Sequence, residues 1–96
     1  MNRDQILHLL KLHKPELAAR FGVADLALFG SAVHDRSRPD SDVDVLVRFD
    51  GPASSANYFG VQFFLEDLLG RSVDLVTDKA LRPQLRHYIE REAVHV

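Results

Sequence analysis

The stretch Ser41 to Phe49, SDVDVLVRF, constrains this chain more than any other. Valine at every second position, 43, 45 and 47, is the period of a strand with one buried face. The opposite face then carries Asp42, Asp44 and Leu46. Strand interiors disfavour aspartate, so two of them on one face mark a site whose chemistry offsets a local cost. They stand about 7 Å apart along the strand, pointing the same way.

The remainder of the chain supplies helices and further strands around this one. Ile6, Leu9 and Leu10 recur at helical spacing behind Asn2 or Asp4, either of which serves as a cap. Pro15 is expected to end that helix and open a short second one, Glu16 to Arg20, closed by Gly22. Asp25 to Phe29 reads as a buried strand ending at Gly30, and Ser72 to Val76 as another. Between them, Ser54 or Ser55 caps a helix running to Leu69, with Tyr58, Val61, Leu65 and Leu68 as its buried stripe and Gly70 behind it. Tyr58, Phe59, Phe63 and Phe64 are most simply core. Pro83 starts a last helix with Leu85 and Ile89 on one face, and residues 93–96 form a short edge strand. Strands alternating with helices give an α/β or α+β layer, with the long helices packed on the sheet.

At 96 residues the expectation is one domain spanning residues 1–96. The lack of cysteine excludes disulfides, zinc–thiolate sites and a thiol nucleophile, and suits a reducing cytoplasm. The apolar runs are short and broken by charge, so neither a membrane span nor an export signal is expected. A net charge of -2 argues against broad attraction to nucleic acid.

Asp74, in RSVDLV, adds a third carboxylate flanked by apolar residues. If its strand lies beside the Asp42/Asp44 strand, three acids converge on one sheet face and repel one another unless cations bind. Magnesium takes hard oxygen ligands, using one or two carboxylates plus substrate phosphates. Two ions about 3.5–4 Å apart would clamp the attacking and leaving oxygens of a phosphoryl transfer. Gly30-Ser31, after a strand, is a candidate phosphate cradle, because glycine admits close backbone approach and the serine offers a hydroxyl. Arg36 and Arg38 are candidate clamps on a triphosphate, and a third carboxylate is a candidate general base. Taken singly, a Gly-Ser turn, loop arginines, Lys79 and the His34-Asp35 pair are ordinary surface features; the joint arrangement is what speaks for a site. His8, His13, His87 and His95 lack metal-ligand spacing.

Gly-Ser, ten intervening positions and then Asp-x-Asp, with a later strand aspartate, resembles the minimal nucleotidyltransferases (MNT) of the DNA polymerase β-like superfamily, specifically the antitoxins paired with HEPN toxins. The resemblance covers nearly the whole chain. It implies a small mixed sheet flanked by helices, and a magnesium-dependent transfer of AMP from ATP to a tyrosine hydroxyl of the cognate toxin. On that reading Gly30 and Ser31 hold the triphosphate, Asp42 and Asp44 ligate the metals, and Asp74 activates the acceptor. One departure is visible: the family's arginine after Gly-Ser is missing from GSAVHD, which leaves Arg36 or Arg38 to replace it, or leaves a protein that neutralises by binding alone.

Overall fold

The computed structural model describes residues 1–34 and 41–96. Helix α1, Arg3–Phe21, starts at a capping box: the Asn2 side chain accepts from the Gln5 amide at 2.9 Å, and the Gln5 side chain accepts from the Asn2 amide at 2.9 Å. Pro15 does not break it, contrary to the sequence expectation. Leu10 and Leu17 are both fully buried, and keeping both on the core face requires the helical phase to continue through the proline. That burial outweighs the one backbone hydrogen bond that proline cannot donate.

Strand β1, Val23–Phe29, leads into a 3₁₀ turn, Gly30–His34. Strand β2 is Val43–Phe49, helix α2 is Ser55–Leu69, strand β3 is Val73–Thr77, helix α3 is Pro83–Glu92 and strand β4 is Val94–His95. Ser54 is the α2 cap, its Oγ accepting from the Asn57 amide at 3.1 Å. β1 begins two residues earlier than its sequence pattern suggests, and β2 starts at Val43, so Ser41 and Asp42 form its approach. β3 is displaced by one residue from the expected Ser72 to Val76.

The sheet is mixed, in the order β3-β2-β1-β4. β1 is antiparallel to both β2 and β4, whereas β2 and β3 run parallel, joined by the crossover through α2. The register settles which side chains share a face. Leu26 pairs with Val47, Leu28 with Val45, and Val45 in turn with Leu75. These form a core with Ile6, Leu10 and Leu17 of α1 and Val61, Leu65 and Leu69 of α2. Leu69, not the expected Leu68, is the fully buried end of the α2 stripe. The two helices approach closely at Gly60, where a Cβ would lie 2.8 Å from Cδ1 of the Phe21 ring.

One apolar expectation fails. Phe59 and Phe63 are 50% and 61% exposed and stack on each other outside the core, because they lie on the α2 face turned from the sheet. Leu85 is 51% exposed, and no residue of α3 is fully buried. No helix among the described residues is long and apolar enough to cross a membrane.

Candidate active site

The alternate residues of the same strands face away from the α1–α2 layer. Asp44 lies opposite Phe29 on one side and opposite Asp74 on the other, while Leu46 lies between Ala27 and Val76. Parallel pairing of β2 with β3 is therefore what turns two distant aspartates into neighbours. Asp74 is exposed, Asp44 is half-buried, and Asp42 is exposed just before β2.

The electrostatics follow from that placement. Burial, then the charge of Asp74, a hydrogen bond shared with Asp74 and the charge of Asp42 push the Asp44 carboxyl from 3.8 up to about 6. All four causes act in one direction. A site that destabilises its own carboxylate in this way favours a bound cation, which reverses the sign of the local field.

Gly30 completes the geometry. It ends β1 at φ +74°, and a Cβ there would overlap Oδ2 of Asp44 and lie 3.0 Å from its Cγ. Only glycine leaves the carboxylate its room. Ala32 and Val33 are buried and anchor the turn from below, and the Arg3 guanidinium donates to the Val33 carbonyl at 3.4 Å. Gly30 and Ser31 thus lie at the edge of the acid cluster, held by the apolar half of their own turn. His34 faces α3, its Nε2 3.9 Å from Oε1 of Glu92.

Asp42, Asp44, Asp74, Gly30 and Ser31 accordingly fall in one neighbourhood. Arg36 and Arg38, along with Asp35 of the His34-Asp35 pair, lie outside the described residues. Among the described residues no group of three His, Asp or Glu side chains forms a set able to hold a metal ion by itself. The chemistry of the donors nevertheless fits magnesium of the substrate-completed kind: hard oxygens, two of them adjacent, in a place where a proton or a cation relieves repulsion.

Sequence reasoning missed one participant. Arg71, just before β3, reaches across to donate from Nη2 to the Ser41 carbonyl at 2.8 Å and to Ser41 Oγ at 3.0 Å. No periodicity signals it, because the contact joins two loops. A groove of about 790 Å³ lies elsewhere, between the start of α2 and the far ends of β2 and β3. Arg48, Tyr58, Phe59 and Lys79 line it, and none of the three aspartates does. That groove and the acid cluster are different places, and the chemistry is at the acids.

Comparison with known proteins agrees with this assignment of the fold. Residues 10–96 match the nucleotidyltransferase domain family. Protein adenylyltransferase MntA of Thermococcus cleftensis is 40% identical over 93 residues, covering 97% of this chain and 94% of the relative. A solved structure assigned as a minimal nucleotidyltransferase superposes with a TM-score of 0.83 at 34% identity, over 98% of this chain and 95% of that one. The complex of a tri-AMPylated HEPN toxin with MNT antitoxin from Shewanella oneidensis gives a TM-score of 0.60 at 20% identity, over 98% and 67% of the two chains, a likeness of fold.

Proposed function

This chain belongs to the nucleotidyltransferase domain family, with a DNA polymerase β-like fold, and from that premise we propose that it transfers AMP from ATP to a tyrosine hydroxyl of a HEPN-type toxin, acting as its antitoxin. The observation that carries the reading is the side-by-side placement of Asp44 and Asp74 next to Gly30. The relative named as a protein adenylyltransferase, and the neighbour whose toxin partner carries AMP, favour a protein acceptor over a small molecule.

The roles follow from position. Gly30 and Ser31 hold the triphosphate through backbone amides and the hydroxyl, with Arg36 and Arg38 as further clamps. Asp42, Asp44 and Asp74 would hold Mg²⁺, most simply two ions, whose bound charge neutralises the phosphates and lowers the cost of the three acids. Asp74, exposed to an arriving partner, takes the proton of the acceptor hydroxyl. The hydroxyl oxygen bonds to the α-phosphorus, the bond from that phosphorus to the bridging oxygen breaks, and pyrophosphate leaves with the electron pair. We take residues 1–96 as one catalytic unit working in the cytoplasm on a protein partner, with no membrane or nucleic-acid partner.

A binding-only antitoxin is the second reading, favoured by one observation. Ala32 and His34 stand where the family carries a cation, and Ala32 is buried while His34 faces Glu92. Titration of a cognate HEPN toxin separates the two. Catalysis predicts that a substoichiometric amount, with labelled ATP and Mg²⁺, silences excess toxin and labels a tyrosine, and that Asp42→Asn with Asp44→Asn abolishes the label while remaining folded. Stoichiometric silencing indifferent to ATP would establish binding alone.

A further inference from the structure

We propose that Arg71 is a positioning residue that sets the Asp42 end of the acid cluster against the Asp74 end; the inference rests on the nucleotidyltransferase reading of that cluster. Asp42 lies outside the regular pairing of β2, so the ladder that fixes Asp44 does not fix it. Its predecessor, Ser41, is tied down by a side chain instead. Nη2 of Arg71 donates to both oxygens of Ser41, at 2.8 and 3.0 Å. Arg71 itself leads into β3, three residues before Asp74, so one guanidinium spans the two acid-bearing strands at their entrance.

Neighbouring contacts fix the other side of this span. The Val43 amide donates to the Ser72 carbonyl at 2.9 Å. From α2, Glu66 accepts from the Val73 amide at 3.0 Å, and Gln62 donates to the Val73 carbonyl at 3.3 Å. The residue before Asp74 is therefore held through both of its backbone groups by α2, and the residue before Asp42 is held by Arg71. Arg71 reaches the cluster through Ser41, so its effect is on geometry. Supports of this kind typically change metal affinity or activity by about 10–100-fold when removed.

The test compares wild type with Arg71→Met, Arg71→Lys and Ser41→Ala, measuring Mn²⁺ binding by calorimetry in the presence of a non-hydrolysable ATP analogue, alongside AMP transfer. Arg71→Met should weaken Mn²⁺ binding by about 10–100-fold and lower kcat by a comparable factor, with KM for ATP changing about threefold or less. Arg71→Lys, which keeps a charged donor but loses the planar fork, should recover only part of both. Ser41→Ala, which keeps the carbonyl contact and loses the hydroxyl, should weaken Mn²⁺ binding by roughly twofold to fivefold. Wild-type Mn²⁺ binding and kcat in Arg71→Met would overturn the proposal. If Arg71→Met does not fold, Ser41→Ala decides, and unchanged Mn²⁺ affinity there overturns it. A wild type that binds Mn²⁺ and nucleotide but transfers no AMP would defeat the functional reading, and the Mn²⁺ series would still decide the role of Arg71.

Discussion

β1 begins and ends beside a glycine at the same backbone angle, φ +74°, yet the two positions are held for different reasons. At Gly22 nothing lies within 4 Å of where a Cβ would sit, and the residue closes α1 by donating its amide to the Ala18 carbonyl at 3.0 Å. The left-handed conformation alone asks for glycine there. At Gly30 the conformation and the space are both taken, because the Asp44 carboxylate fills the place of a side chain. One end of the strand is shaped by the chain turning a corner and the other by a carboxylate that must stay where it is. A glycine's backbone angle does not reveal which of these it serves; its neighbours do.

The largest effect that would break this contrast is on catalysis. Gly30→Ala should displace Asp44 and reduce AMP transfer by about 100-fold, the usual result of an ångström-scale misplacement in an active site. Gly22→Ala should leave transfer within about twofold, because no site residue adjoins it. Equal losses in the two variants, measured with labelled ATP, would show that Gly30 is only another turn.

A smaller effect sharpens the Asp44 side of the comparison. Its folded-state pKa of about 6 lies above the ordinary 3.8, so the native state binds this proton more tightly than the unfolded chain. The stability it contributes is full below about pH 4, is lost as pH rises through the interval to about 6, and stays absent above it. Asp44→Asn should therefore raise the melting temperature of the metal-free protein at pH 8 by a few degrees and leave it unchanged at pH 4. Asp44 is only half-buried, so solvent screening reduces the shift. Thermal melts at the two pH values check the sign, and a lower melting temperature at pH 8 would mean that the carboxylate is structural.

The smallest effect belongs to Gly22. Gly22→Ala should cost about 1–2 kcal/mol in denaturant unfolding, the penalty for placing an L side chain in the left-handed region. Gly22→Asn should cost less, since asparagine tolerates that region better than other side chains.

Much of this site was legible in the sequence because it is written in periods. Alternation from Val43 to Val47 put Asp42 and Asp44 on one face, and the apolar flanks of Asp74 gave it a strand. What remained open was whether those strands were neighbours, which depends on parallel pairing across α2 and has no local signature. Pro15 misled because its cost is local and visible, while the burial of Leu10 and Leu17 that overrides it is tertiary. Phe59 and Phe63 misled for the opposite reason: aromatic composition suggests burial, but their positions on α2 turn them outward. Arg71 was illegible altogether, since its contact with Ser41 joins segments that no repeat connects.

The parallel joint between β2 and β3 also imposes an order in time. Asp44 and Asp74 sit on strands separated by all of α2, so an unfinished chain carries the first without the second. Bringing them together closes a long loop and sets two like charges side by side, which makes their meeting a poor nucleus and a late event. During refolding from urea, Mn²⁺ binding should return no sooner than hydrogen-exchange protection along β3. The acid pair is thus complete only once β3 has closed on β2, so a chain emerging from the ribosome acquires its candidate site late in assembly.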